Sequence, residues 1–94
     1  MRMITLEFEL DPEDAGRLLA DVDDFRDYWA GHEVRFTIFR HTSNGTRYVG
    51  TFFTERTVDD VVHMIQTDGK AKELFDRLKE ADVHLVLSVL EELP

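Results

Sequence analysis

The chain has 94 residues, 43% of them hydrophobic and seven of them Phe, and a net charge of −9 from 11 basic and 20 acidic side chains. That is enough apolar mass for one packed core, so a single domain over residues 1–94 is expected, and the charge argues against nucleic-acid backbones and anionic membranes as partners. The absence of cysteine excludes disulfides, thiolate metal sites and Cys nucleophiles.

The opening segment, MRMITLEFEL, is broken by Glu7 and Glu9 and lacks a cleavage site, so it does not read as a signal peptide. No apolar run approaches membrane-spanning length. A cytoplasmic location is expected. Residues 3–10 alternate, with Ile4, Leu6, Phe8 and Leu10 on one side and Met3, Thr5, Glu7 and Glu9 on the other, which predicts a half-buried strand. Asp11 then offers an N-cap and Pro12 suits the first helical position. Ala15, Leu18, Leu19, Val22, Phe25 and Trp29 follow at helical spacing, with Asp21, Asp23, Asp24 and Asp27 on the outer face and Gly31 as the stop.

The stretch Val34 to Glu55 predicts a hairpin folded at Asn44-Gly45, because both residues tolerate the positive φ of a type I′ turn. A two-residue turn pairs Ser43 with Thr46 and sets Phe36 opposite Phe53, Ile38 opposite Thr51 and Arg40 opposite Val49. One face then carries Val34, Phe36, Ile38, Val49, Thr51 and Phe53, a core face. The other carries Arg35, Thr37, Phe39, His41, Tyr48, Gly50, Phe52 and Thr54. A three-residue turn reverses one strand and voids this assignment.

Thr57 caps a second helix striped by Val58, Val61, Val62 and Ile65, interrupted at Thr67-Asp68-Gly69 and continued by Ala71, Leu74, Phe75, Leu78 and Ala81. Residues 83–90 are apolar on both sides, which predicts a strand buried on both faces. The order β-α-β-β-α-β predicts a ferredoxin-like α+β fold, a four-stranded antiparallel sheet with its helices on one face.

The other face of that sheet, with Phe39, Tyr48 and Phe52 among Thr5, Glu7, Arg35, Thr37, His41, His84 and Leu90, has nothing in the chain to cover it. Contiguous exposed apolar patches mark interfaces or ligand sites, and a second copy of the chain is the expected cover. The order, the length and the interrupted second helix (HMIQTDGKAKELFDRLKEA) resemble the dimeric α/β barrels of the antibiotic-biosynthesis-monooxygenase-like superfamily. Phe25-Arg26-Asp27-Tyr28-Trp29-Ala30-Gly31-His32 resembles the aromatic-Trp-then-His stretch that ends the first helix in some of them. The resemblance implies a homodimer and spans cofactor-free oxygenases, isomerases, dehalogenase-like and haem-degrading proteins. The haem-degrading branch carries a ligating His where this chain has Lys70 to Leu78 and no His, so haem is not carried over and no cofactor is expected.

Two function classes stay open. In one, the dimer encloses a small aromatic or amphipathic ligand, and His41, His84 and Glu7 are candidate catalytic bases for proton abstraction. Arg35 and Tyr48 then bind an oxyanion or phenolate, and Phe39, Phe52 and Thr37 line the ligand. In the other, the same face is a packed interface of a structural or regulatory module, and these polar groups tie the dimer together. His41 and His84 have no compact metal-ligand spacing, and no metal is assigned. Tyr28, Trp29 and His32 either border a ligand entrance or belong to the core and the helix end.

Overall fold

The computed structural model describes residues Met1–Pro94. β1 (Arg2–Glu9) leads to α1 (Pro12–Ala20) and α2 (Val22–Ala30). β2 (Val34–Arg40) and β3 (Arg47–Thr54) form the hairpin. α3 (Val58–Thr67), α4 (Gly69–Ala81) and β4 (Val86–Glu91) complete the chain. The strands form one antiparallel sheet in the order β2-β3-β1-β4, so β2 and β4 are its edges. This is the ferredoxin-like fold expected from the sequence. No helix is long and apolar enough to cross a membrane.

The caps form as the sequence predicts. Asp11 accepts the Asp14 N–H at 2.8 Å with Pro12 in the first turn, and Thr57 accepts the Asp60 N–H at 3.2 Å. Each satisfies a backbone donor that the first helical turn leaves free. The first helix is nevertheless not continuous. At Asp21 the N–H bonds back to Leu18 O at 3.1 Å, a tighter step than the α-helical one, and α2 restarts with the Phe25 N–H on Asp21 O. The break lets Ala15, Leu18, Phe25 and Trp29 all turn inward and leaves Leu19, expected in the buried stripe, half exposed. Gly31 is not the left-handed stop: its φ is −64°, and the chain turns two residues later at Glu33, whose φ is +63°.

The largest correction is in the hairpin. β2 and β3 pair as Val34–Thr54, Phe36–Phe52, Ile38–Gly50 and Arg40–Tyr48, one residue away from the register of a two-residue turn. No glycine takes a positive φ, which rules out the type I′ geometry. Asn44 instead begins a turn closed by the Arg47 N–H on Asn44 O. Its side-chain Oδ1 accepts both the Thr46 N–H at 3.1 Å and the Thr46 hydroxyl at 2.9 Å. An Asn that uses its carboxamide in this way can stabilise a turn without left-handed backbone.

The shift carries Tyr48, Gly50, Phe52 and Thr54 to the helix side and sends Val49, Thr51 and Phe53 to the open side, because side chains alternate with period two. The inner set packs better. Tyr48 stacks on Phe8 at 6.0 Å between ring centroids, and Phe52 meets Trp29 at 5.0 Å and Phe36 at 4.9 Å. Gly50 leaves room for Phe36 and Phe8, whose ring atoms lie 3.5 and 3.7 Å from where its Cβ would be. The core therefore gathers Ile4, Leu6, Phe8, Val34, Phe36, Tyr48 and Phe52 under Trp29, Val61, Ile65, Leu74 and Leu78.

The last strand also departs from expectation. It starts at Val86, and Val83 and His84 lie in the turn before it, with Val83 73% exposed. β4 is an edge strand, exposed rather than buried on both faces: Leu87 and Val89 on the helix side and Val86 and Leu90 on the open side are each at least 40% accessible.

Candidate functional site

The open face is a lattice of rows. Reading β2-β3-β1-β4, the cross-strand partners are Arg35, Phe53, Met3 and Leu90; then Thr37, Thr51, Thr5 and Ser88; then Phe39, Val49, Glu7 and Val86. A band of hydroxyls crosses all four strands between two largely apolar rows. Thr51 donates its hydroxyl to Thr37 O at 3.2 Å and is buried within the single chain. Phe39 stands 54% exposed. Beyond the third row Arg47 approaches Glu9 at 3.8 Å.

This lattice sorts the residues singled out from sequence. Arg35, Thr37, Phe39 and Glu7 lie on the open face. Tyr48 and Phe52 do not: at 6% and 1% exposure they are core residues, moved there by the register shift. His41 follows the end of β2, and its N–H bonds to Arg47 O at 2.9 Å. His84 sits in the α4–β4 turn, its N–H held by Asp82 Oδ1 at 2.9 Å. Both imidazoles are exposed at the hairpin-tip end of the sheet, near the Glu9–Arg47 pair, while Arg35 is at the opposite end. At ~3.3 Å per residue and ~4.8 Å per strand, Glu7 and Arg35 are separated by about 16 Å. The candidate bases and the candidate anion binder therefore do not converge within one chain. No three His, Asp or Glu side chains come close enough together to hold a metal ion.

A second constellation forms on the helix side. Trp29, fully buried, lines a narrow cleft with Leu6, Phe52, Ile65, Ala71, Leu74 and Phe75, under the break between α3 and α4. The cleft is closed and leaves no room even for a water molecule. The Trp29 indole Nε1 is buried without a hydrogen-bond partner. Beside it, Tyr28 packs edge-on against Trp29 at 5.2 Å and tilts over His32 at 4.7 Å. The Tyr28 hydroxyl is buried next to the Asp68 carboxylate without closing a well-formed hydrogen bond. Burial, reinforced by Asp68, pushes the Tyr28 phenol well above its ordinary range. Asp68 is held below the usual carboxylate range by Tyr28, by the Lys70 and Ala71 N–H groups and by His32.

Asp68 occupies the break itself. It closes α3 through its N–H on Met64 O and caps α4 by accepting the Lys70 N–H at 3.2 Å. A carboxylate, a phenol and an imidazole thus meet at the joint of two helices, a set able to give, take and hold a proton. Sequence reasoning found Tyr28, Trp29 and His32 through the Tyr-Trp-x-x-His spacing but read Asp68 only as part of a helix interruption. The Thr-Asp-Gly interruption was its only signal, and pairing with Tyr28 needs a contact forty residues away.

No family model matches the sequence, and no curated protein matches it. Solved structures match the fold over its whole length. A candidate antibiotic biosynthesis monooxygenase from Deinococcus radiodurans superposes with a TM-score of 0.78 at 12% identity, covering 100% of this chain and 94% of that one. Another antibiotic biosynthesis monooxygenase gives 0.76 at 9% identity with 100% of both chains covered. A conserved protein from Methanosarcina mazei Go1 gives 0.80 at 10% identity, covering 98% and 92%. The fold is therefore that of the antibiotic-biosynthesis-monooxygenase structures, as the sequence resemblance implied.

Proposed function

We propose that this chain works as a homodimer that binds a small aromatic or amphipathic molecule, with the ligand received in the cleft beneath Trp29. The buried, unpartnered indole N–H of Trp29 carries this reading. A buried donor left without a partner costs about 1–3 kcal/mol, and such groups are rare in folded proteins. An acceptor oxygen on a ligand whose body fits among Leu6, Phe52, Ile65, Leu74 and Phe75 removes that cost. The cleft is closed, so binding requires Phe75 and the α3–α4 joint to move. Asp68, which sits in that joint beside the Tyr28 hydroxyl, is the group that such movement disturbs.

The chemistry this arrangement supports is proton abstraction from a ligand with an acidic C–H or O–H, as a cofactor-free oxygenase or isomerase requires. The structures sharing this fold include proteins described as antibiotic biosynthesis monooxygenases, in keeping with that class. Asp68 and His32, beside Tyr28 at the joint rather than in the wall of the cleft, are the acid–base candidates nearest to it. Glu7, His41 and His84, with Arg35 as anion binder, keep that role only for a ligand seated on the open face of the sheet.

A second reading, a structural or regulatory module with a packed interface, is favoured by one feature. The open face is a hydroxyl band between two largely apolar rows, suited to a filled contact.

Native mass spectrometry of the unheated protein, followed by thermal-shift screening with quinones and phenols, separates the two. A dimer with a reproducible small adduct, or a melting shift that Trp29→Phe abolishes while Glu7→Gln and His84→Ala retain it, supports the cleft. A clean dimer with no shift across the panel leaves the interface module. A shift lost with Glu7→Gln instead moves the ligand to the sheet face.

A further inference from the structure

We infer that the two copies pack their open faces about a two-fold axis passing over Thr51, so that Arg35 of each subunit pairs with Glu7 of the other. This rests on the homodimer reading above and specifies its geometry.

Across the three central rows of the open face, Glu7 and Arg35 are the only charged residues, and neither has an ion-pair partner within the chain. Outside these rows, Arg47 pairs with Glu9, and the N-terminal amine approaches Glu55 and Glu92. Glu7 is already half-buried between Val49 and Val86. Covering it with a second sheet while leaving it unpaired would bury a bare carboxylate, which is strongly unfavourable. The opposite charge available on the covering surface is the other copy's Arg35.

The lattice then fixes the axis. Arg35 lies one row to one side of Thr51 and one strand away; Glu7 lies one row to the other side and one strand away in the opposite sense. Thr51 is therefore their midpoint. A two-fold axis that exchanges the two must cross over Thr51, at right angles to the line joining them. With ~3.3 Å per residue and ~4.8 Å between strands, the strands of the two sheets then cross at about 70°. That falls in the near-perpendicular class of sheet packing rather than the aligned one. The same axis, continued across the sheet, passes over Leu90, two strands from Thr51 and one row up. Leu90, 48% exposed in the single chain, is thereby set against its own counterpart, which gives an apolar explanation for one side of β4.

Charge reversal tests the pairing. Glu7→Arg and Arg35→Glu are each expected to weaken dimerisation by about 100-fold or more, through like-charge contacts at both symmetric pairs. The combined exchange is expected to recover the dimer to within about 10-fold of the parent, read by light scattering over a dilution series. An independent test uses the absence of native cysteine. Leu90→Cys is expected to cross-link to its own counterpart with a short bis-maleimide, whereas Val86→Cys, which this axis carries away from its counterpart, is not. A parent that is dimeric, with a double exchange no stronger than the single reversals and no Leu90 cross-link, overturns this geometry and leaves the homodimer reading standing. A monomeric parent overturns both.

Discussion

At the scale of the residue, the one left-handed backbone position and two of the three buried polar atoms without a partner fall in one short stretch, the third being Arg56 Nε. Tyr28 and Trp29 hold buried, unpartnered donors, and Glu33, a few residues on, takes the left-handed conformation that non-glycine residues rarely adopt. Glu33 is exposed and makes no ion pair. Its left-handed backbone costs about 1–2 kcal/mol relative to a relaxed residue. Glycine removes that cost but loses more entropy on folding, about 0.5–1 kcal/mol. Glu33→Gly is therefore expected to stabilise the fold by about 0.5–1 kcal/mol, raising the melting midpoint by several degrees. A drop in the midpoint would mean that the Glu33 side chain makes a stabilising contact in solution. The residue that turned the chain was not legible in the sequence. Gly31 was the natural choice, but its N–H and that of His32 still bond into the helix, which leaves the reversal to Glu33.

At the scale of the element, what could be read locally was read, and what depended on a partner across the sheet was not. Asp11 and Thr57 cap helices through N–H groups three residues away, so the sequence contains all the information needed. The hairpin register does not work that way. Asn44-Gly45 fits a tight turn and an Asx-stabilised longer one equally well, and the choice fell to β1, where Phe8 and Ile4 face Tyr48 and Phe52. That one-residue slip moved Tyr48 and Phe52 off the open face and put Phe52 in the wall of the cleft beneath Trp29.

The α4–β4 turn shows the same dependence. Asp82 ends α4, and its carboxylate clasps the Glu9 N–H on β1 at 2.8 Å and the His84 N–H at 2.9 Å. Those bonds hold its carboxyl below the usual range. A carboxyl depressed by folding stabilises the native state at pH values above the ordinary carboxylate range, and the contribution fades as pH falls through the folded value. Asp82→Ala is expected to cost about 1 kcal/mol at pH 7, the usual net worth of a backbone N–H bonded to a side-chain acceptor. The difference between the variant and the parent should close as the medium is acidified. Chemical denaturation at pH 7 and in steps down through the acid range checks this, and a gap that does not narrow at all would assign the loss to packing instead.

At the scale of the whole molecule, the question is why β4 exists as it does. Its strand pairs through Arg2–Glu91 to Glu7–Val86, yet Leu87 and Val89 find too little helix above them and Val86 and Leu90 nothing below. Sequence periodicity reads apolar character on both faces and implies burial on both, whereas in the single chain both faces of β4 are exposed. Periodicity does not place a strand within its sheet, and this topology sets β4 at the edge. Edge strands in isolated proteins are usually guarded by charge or proline, and the run Val86-Leu87-Ser88-Val89-Leu90 has neither. A second copy that covers this strand stabilises the native state by mass action, so the melting midpoint should rise with protein concentration. Amide exchange in β4 should slow over the same range, because protection follows the free energy of local opening. β1 and β3, interior to the sheet, should show far less dependence. Measuring both across about a hundredfold dilution gives a joint outcome. Concentration-dependent melting with protection gained at β4 places the association at this strand. Concentration-dependent melting with β4 unprotected would put the contact elsewhere on the molecule, on the acidic helical side that the −9 charge makes least suited to self-association.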